Sequence, residues 1–199
     1  MAFRRHRAGD KVGGRRGRGG KDRAGAVENE SAASRELSPE KARQKIFARA
    51  LKILAARPRS EEQLRERLLD KPWAEPEIVE RCIERLKELG YINDQAFAQN
   101  YASHRVTMKP VGRARVAREL ATKRVPRQLI DTALETVFEE VSEEELIDRA
   151  IAKRMRTHGK MVDRAGEKRM FDYLVRQGFE YDLIIRRLRA LKTGPSDED

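Results

Sequence analysis

The chain has 199 residues, of which 39% are charged and 6% are aromatic, and its formal net charge is +11. No apolar run approaches the roughly 18–20 residues that cross a bilayer, and the basic N-terminus lacks the apolar segment of a secretory signal. The single cysteine, Cys82, excludes an internal disulfide framework and fits a reducing compartment. We therefore expect a soluble cytoplasmic protein.

Residues 1–38 contain few large apolar side chains and many glycines and arginines. They cannot bury enough surface to offset the entropy of ordering, so we predict a disordered basic tail here. Tails of this kind make non-specific contacts with nucleic acids. At the other end, residues 193–199 form a short acidic tail for which we also expect disorder.

Between the tails the sequence predicts nine helices and no strands, because apolar residues recur at helical spacing and no segment alternates with period two. The first helix runs from about Glu40 to Ala56, before Arg57-Pro58. The later boundaries are marked by capping serines, prolines and glycines. The residues that carry these signals are Ser60, Pro76, Gly90, Asn93, Asp94, Pro110, Gly112, Pro126, Ser142 and Gly178.

The second, fifth and eighth helices, each with the helix that follows, form an internal repeat with offsets of 52 and then 54 residues. In each copy we expect one helix to end at a polar residue, followed by a large apolar residue that packs back between two helices. The aligned sets are Leu64, Val116 and Met170; Leu68, Leu120 and Leu174; Lys71, Lys123 and Gln177; Trp73, Val125 and Phe179; Ile78, Ile130 and Ile184; and Cys82, Leu134 and Leu188.

The repeat predicts an all-α fold of three tandem three-helix units, residues 40–90, 91–140 and 141–192, in an elongated and curved array. Such an array offers long surfaces to extended partners such as filaments.

Motifs for catalysis are absent from the sequence. It has no phosphate-binding loop and no nucleophile elbow. The three histidines, His6, His104 and His158, are too scattered for a metal site. Paired carboxylates such as Glu61 and Glu62 lie in first helical turns, where the helix dipole accounts for them. We therefore expect a binding protein without a cofactor or a metal, and not an enzyme.

Charge is segregated along the chain, which suits a polyanion or a charged protein partner, although solvated helix faces are the alternative. An acidic segment from Asp131 to Asp148 separates two basic segments. Tyr101 could stack on a base, but its spacing from Phe97, like the position of Trp73, favours packing in the core. The candidate residues for binding nucleic acid or a filament are Arg105, Lys109, Arg113, Arg115, Arg118, Lys123, Arg124, Arg127, Lys153, Arg154 and Arg156.

Four motifs occur in order within residues 42–191: Ala50-Leu51 and Leu54 with Arg57-Pro58-Arg59-Ser60-Glu61 and Leu64; Leu86 to Asp94 with Phe97-Ala98; Glu119-Leu120 with Lys123; and Arg176-Gln177-Gly178-Phe179. In this order, and on the repeat, they resemble the RecX family of bacterial recombination regulators. The resemblance implies three-helix units that bind filaments of the RecA recombinase on single-stranded DNA, touching the DNA directly or through the filament. It also implies damping of ATP hydrolysis and strand exchange, and no membrane partner.

Two features depart from the family pattern. The glycine expected before the apolar residue that packs back is present as Gly178, but Pro72 and Arg124 replace it in the first two units. Pro72 must alter its turn, because proline cannot adopt a positive φ. The Gly/Arg-rich tail is the second departure, and it could add affinity for DNA.

Three other functions stay open on the sequence alone. A general DNA-binding protein could use the second and third helices as a helix-turn-helix, although Glu80, Glu84 and Glu88 on the third helix would repel phosphates. An RNA-associated helical scaffold with an Arg/Gly tail is a second possibility. The third is an enzyme of unrecognised type.

Overall fold

The structure is a computed structural model that describes residues 38–159 and 161–193. Within these ranges the chain forms nine α-helices and no strand, which confirms the predicted fold class. The predicted tails lie outside the described residues except for Ser38 and Thr193. The helices are α1 (Pro39–Ala56), α2 (Glu61–Leu69), α3 (Pro76–Glu88), α4 (Asp94–Met108), α5 (Arg113–Thr122), α6 (Arg127–Glu140), α7 (Glu143–His158), α8 (Arg164–Gln177) and α9 (Tyr181–Thr193).

The predicted capping residues begin their helices. The Ser60 and Ser142 hydroxyls each accept a hydrogen bond at 3.3 Å from the backbone N–H three residues later. The Asn93 side chain accepts the equivalent bond at 2.9 Å, so Asn93 and not Asp94 is the cap of α4. Each bond satisfies an N–H that the helix itself leaves free.

Three predicted boundaries differ slightly from the structure. Pro126 is the residue before α6 and not its first residue, because its ψ of 140° is extended. Helix α2 ends at Leu69 and not at Lys71, since Pro72 disfavours a helical conformation for the residue before it. Helix α5 ends at Thr122, with Lys123 as its C-terminal cap.

The nine helices pack into three units of three, α1 to α3, α4 to α6 and α7 to α9, and α5 also packs on α8. Unit 1 has a hydrophobic core of its own, whereas units 2 and 3 share one continuous core. Cys82 is buried in the core of unit 1, as predicted, and this burial raises the pKa of its thiol to about 11. The largest fully buried side chains are Ile46, Leu64, Leu68, Val79, Ile83, Leu86, Leu120, Ile130, Leu146, Ile147, Leu174 and Ile184.

The apolar residues of the internal repeat occupy equivalent places in the three units. All those that align on the helices are buried. Of the residues that pack back after each turn, Val125 and Phe179 are buried, whereas Trp73 is half-buried against the core of unit 1. The Lys45 ammonium lies 4.2 Å from the centroid of the Trp73 ring and covers its outer face.

The turn before each of these residues distinguishes unit 1 from the other two. Gly178 and Arg124 both adopt left-handed conformations, with φ of 88° and 63°. This geometry lets the next N–H bond back to the helix, at 3.3 Å in both units. Pro72 does not adopt a positive φ, and here Ala74 N–H donates to the Lys71 carbonyl at 2.9 Å instead. The predicted alteration at Pro72 is therefore confirmed.

Successive units are joined twice by the same kind of contact. At the first joint, the Ser60 hydroxyl before α2 donates to the carbonyl of Lys123 after α5. At the second joint, Gly112 N–H before α5 donates to the carbonyl of Gln177 at the end of α8, at 3.1 Å. Ser60 and Gly112 are equivalent in the repeat, and so are Lys123 and Gln177. Each joint therefore places the start of one helix against the end of its counterpart in the next unit.

A carboxylate completes each joint. Asp94, the first residue of α4, accepts a 2.8 Å hydrogen bond from Glu61 N–H. Glu143, the first residue of α7, accepts a 3.1 Å bond from Arg113 N–H. In both cases burial raises the pKa of the carboxyl, and this effect is larger than the lowering of the pKa by the hydrogen bond from the backbone N–H. The N-termini of α2 and α5 are thus satisfied by groups from the following unit.

The second joint is a direct contact between backbones. A Cβ added to Gly112 would lie 2.3 Å from the Gly178 carbonyl oxygen. A Cβ added to Gly178 would lie 2.3 Å from the Arg115 nitrogen. Ala114 N–H also donates to the Gly178 carbonyl at 3.2 Å. Units 2 and 3 can approach this closely only because both positions are glycine.

Replacing Gly112 with alanine is expected to destabilise units 2 and 3 by about 3 kcal/mol, because the added methyl group meets backbone atoms. Urea unfolding followed by circular dichroism measures this change. Trp73 is the only tryptophan and reports on unit 1, so the midpoint of its fluorescence should change much less.

Gly90→Ala is the matched control for Gly112→Ala. Gly90 has a φ of +74° but open space around its Cα. Gly90→Ala should therefore lower the free energy of unfolding by only roughly 1–2 kcal/mol, the cost of placing a non-glycine residue in a left-handed conformation. A loss for Gly112→Ala no larger than that for Gly90→Ala would contradict the backbone contact.

Arg124→Gly is expected to be more stable than Arg124→Ala by about 1 kcal/mol, because glycine adopts the left-handed conformation without strain. Both variants lose the 3.4 Å ion pair with Glu66, so their difference isolates the backbone. Thermal unfolding of the two variants side by side measures it, and equal stabilities would show that the turn relaxes.

Candidate interaction surfaces

The predicted binding residues lie in several places. Arg105 and Arg115 point at one carboxylate between α4 and α5. Three other arginines line a groove between units 2 and 3. The remaining residues lie on the ends of α4 and α5 and along the C-terminal half of α7.

The carboxylate that Arg105 and Arg115 share is that of Glu119 on α5. Arg105 Nε and Nη2 donate to its two oxygens at 2.7 and 2.9 Å, and Arg115 Nε donates at 3.0 Å. The Tyr101 hydroxyl donates to the same carboxylate at 2.9 Å. These hydrogen bonds lower the pKa of Glu119 to about 2, and the bond from Arg105 has the largest effect. Arg115 also donates to the Gln177 side chain at 2.9 Å, which connects the network to α8.

Tyr101 is half-buried, and its ring is in contact with two other side chains. The Phe97 ring stacks against it with a centroid distance of 6.3 Å. The Lys123 ammonium lies 4.7 Å from the Tyr101 centroid. With its hydroxyl also bonded, Tyr101 is a packing residue, as its spacing favoured, and not an open platform for a base.

The groove between units 2 and 3 has a volume of about 820 Å³, and we call it the arginine groove. Three of the predicted residues, Arg113, Arg118 and Arg127, line this one groove. Its lining residues include Arg113, Ala114, Ala117, Arg118, Arg127, Asp131, Leu134, Glu135, Val175, Gly178, Phe179, Glu180 and Tyr181.

The three arginines of the arginine groove differ in how firmly they are held. The Arg113 guanidinium lies 5.3 Å from the Phe138 ring centroid. Arg127 forms an ion pair with Asp131 at 2.9 Å, but its side chain is 83% exposed, and such pairs contribute little. Arg118 is exposed and forms no ion pair within residues 38–159 and 161–193. Arg118 and Arg127 are therefore the two that an anion can reach most easily.

The other predicted residues lie apart from this groove. Lys153 and Arg156 are exposed on α7, whereas the Arg154 guanidinium lies 5.0 Å from the Tyr173 ring centroid. Lys109 is an exposed residue at the C-terminal end of α4. Arg124 forms its ion pair with Glu66 across the first joint.

Sequence reasoning missed a second groove, between units 1 and 2, which we call the apolar groove. It lies between α1 and α4 and has a volume of about 850 Å³. Its lining residues come from segments that are far apart in the sequence, so nothing local in the sequence indicated this groove. Its lining residues are Leu51, Leu54, Ala55, Pro58, Arg59, Gly90, Tyr91, Asn93, Ala96, Phe97, Asn100, Tyr101, His104 and Lys123.

Two family models match the chain, one in unit 1 and one in unit 2. The model described as "RecX, first three-helix domain" matches residues 47–86, and "RecX, second three-helix domain" matches residues 93–134. A regulatory protein RecX from Streptomyces coelicolor is 32% identical over 166 residues, covering 83% of this chain and 87% of the relative. The chain belongs to the RecX family.

Other members of the RecX family agree with this assignment. A regulatory protein RecX from Pelodictyon phaeoclathratiforme is 30% identical over 150 residues, covering 75% of this chain and 91% of the relative. The crystal structure of RecX from Lactobacillus salivarius matches with a TM-score of 0.68 at 19% identity, covering 77% of this chain and 98% of that one. A second crystal structure of a regulatory protein RecX gives a TM-score of 0.65 at 23% identity, with 76% and 79% covered. At these identities the two structures show a common fold.

Two further observations bear on this family member. Among the described residues, none of the helices has the length and apolar character needed to span a membrane. The same ranges contain no group of His, Cys, Asp or Glu side chains arranged to hold a metal ion.

Glu119→Gln is expected to destabilise the protein by about 2 kcal/mol at pH 7, because its hydrogen bonds to charged partners weaken. The folded-state pKa of Glu119 is lowered from 4.5 to about 2, so its contribution is complete above about pH 4.5 and is lost as the pH falls towards 2. The stability difference between wild type and variant should therefore shrink over that range, measured by urea unfolding.

Glu139→Gln serves as the control for Glu119→Gln, because Glu139 is exposed and has no ion pair among the described residues. It should change stability by less than about 0.5 kcal/mol at every pH. A difference for Glu119→Gln that stays constant between pH 5 and 2.5 would contradict the lowered pKa.

Proposed function

We propose that this RecX family member binds RecA filaments on single-stranded DNA and slows their ATP hydrolysis and strand exchange. The observation that carries the proposal is the arginine groove, which places exposed guanidinium groups at the joint between two rigidly connected units. Guanidinium groups suit phosphates and acidic protein surfaces alike. Membership of a family of regulatory proteins supports the same role.

The second joint supports a mechanism based on bridging. Units 2 and 3 share a core and meet through backbone hydrogen bonds between α5 and α8, so they move as one body. A rigid body that contacts two neighbouring protomers of a filament resists changes in their spacing. ATP turnover by the filament requires such changes in this proposal, so the bound regulator slows hydrolysis without any catalytic chemistry of its own.

The proposal assigns different roles to the basic residues. Arg118 and Arg127 contact the partner from the arginine groove, and the exposed Lys153 and Arg156 add a second region on unit 3. Arg105 is held at Glu119 with its side chain 15% exposed, so it acts indirectly by positioning α4 on α5. Arg115 shares that carboxylate and has the same indirect role.

Arg118→Glu combined with Arg127→Glu is expected to reduce inhibition of RecA at least about tenfold, because two exposed cations become anions. The measurement is DNA-dependent ATP hydrolysis by the cognate RecA with substoichiometric amounts of this protein. Binding of the variant should also depend less steeply on salt.

Lys41→Glu combined with Arg43→Glu is the matched control, since it makes the same change in charge at exposed positions of α1. It should inhibit within about twofold of wild type. Full inhibition by the groove variant would exclude the arginine groove as the contact. Unchanged hydrolysis with wild-type protein that still binds single-stranded DNA would instead favour a general nucleic-acid-binding function.

A further inference from the structure

The apolar groove has walls made by two helices. Leu51, Leu54 and Ala55 on α1 follow helical spacing and form one wall. Phe97 and Asn100, with their neighbours on α4, form the other wall. Leu51, Leu54 and Phe97 are only half-buried, so the groove exposes apolar surface that the cores of units 1 and 2 leave uncovered.

The same groove carries positive charge and no negative charge. Arg59 and Lys123 line it, and no Asp or Glu is among its lining residues. The Nε atom of Arg59 is buried and has no hydrogen-bond partner. Arg57 and Arg67 lie close enough to lower the pKa of Arg59, after the larger effect of its own burial. A guanidinium and an ammonium in a lining without Asp or Glu favour an anionic partner group such as a carboxylate.

Two acidic residues of the first joint, Glu61 and Glu66, are paired with cations that do not line the groove. Glu61 is held by Arg65 and Lys87, both at 2.8 Å. Glu66 is held by Arg124 on the far side of the joint. The groove therefore combines an apolar floor with a net positive edge.

We propose that the apolar groove is the docking site for an acidic amphipathic helix of a partner protein. Large apolar side chains of this helix would pack between α1 and α4, and its flanking carboxylates would pair with Arg59 and Lys123. An amphipathic helix laid in an apolar groove is a recurring mode of protein recognition. The volume of about 850 Å³ is in the range of well-formed binding sites.

The structure favours a helix over single-stranded nucleic acid in this groove. Phe97 and Tyr101 stack on each other and Tyr91 is the exposed aromatic residue of the lining, so a strand of bases would have one open ring to stack on. Two lining cations, Arg59 and Lys123, are also few for a surface that follows a phosphate backbone. Apolar walls at helical spacing match apolar side chains at the same spacing. The inference depends only on this groove and stands apart from the proposed action on RecA.

The test is fluorescence anisotropy with the full chain and a labelled helical peptide of leucine, alanine and glutamate, in which the leucines form one stripe. Two matched peptides replace every glutamate with lysine or every leucine with serine. Wild-type protein should bind the acidic leucine peptide at least about tenfold more tightly than either matched peptide. Equal binding of the acidic and lysine peptides would overturn the proposal.

Paired variants locate the binding. Ala55→Glu with Asn100→Glu places two carboxylates at exposed positions of the groove and should weaken peptide binding at least about tenfold. Ala56→Glu with Ser103→Glu makes the same charge change on the same helices outside the groove lining, and should stay within about twofold of wild type. All four positions are exposed, so both variants should fold, as circular dichroism can verify.

The remaining outcomes also decide the question. Similar loss of binding in both paired variants would place the peptide elsewhere and overturn the proposal. A third outcome concerns single-stranded oligothymidylate. If wild-type protein binds it, and Ala55→Glu with Asn100→Glu abolishes that binding but leaves peptide binding intact, the groove is a nucleic-acid site. Neither result depends on RecA, so failure here is separate from failure of the proposed regulation.

Discussion

The array depends on one contact, in which the start of the middle helix of a unit meets the end of the middle helix of the next unit. This contact satisfies N–H groups at one helix end and carbonyl groups at another, which would otherwise need water. It also aligns the positive end of one helix dipole with the negative end of the other. Since the contact occurs once with Ser60 and once with Gly112, the units follow one another in the same way. The first joint uses the side chains of Ser60 and Asp94 for this purpose, whereas the second joint is made mainly by backbone groups.

Each joint opens into a groove, and the chemistry of the two grooves differs. Lys123 belongs to the first joint and also lines the apolar groove. Gly178 belongs to the second joint and lines the arginine groove. The repeat thus produces a groove at each joint, while the residues that line the two grooves differ in charge and polarity. In the two proposals above, a polyanion binds at one groove and a protein segment at the other.

The sequence predicted the helices, their caps and the buried positions of the repeat well, because those features depend on residues a few positions apart. It could not predict the joints, since Ser60 and Lys123 are 63 residues apart and nothing local links them. It also could not separate free arginines from engaged ones. Arg105 and Arg118 look alike in a basic segment, but only the folded chain brings Arg105 to Glu119 and leaves Arg118 exposed. The apolar groove escaped prediction because its two walls come from different units, and nothing local in the sequence links α1 with α4.

The glycine pair at the second joint restricts how this sequence can change. A methyl group on Gly112 would collide with the main chain of Gly178, and a methyl group on Gly178 would collide with the main chain of Arg115. A clash with a side chain can be relieved by a smaller residue elsewhere, but every residue has a main chain. A smaller side chain elsewhere therefore cannot make room at this place, and any other amino acid at either position requires the main chains of units 2 and 3 to move apart.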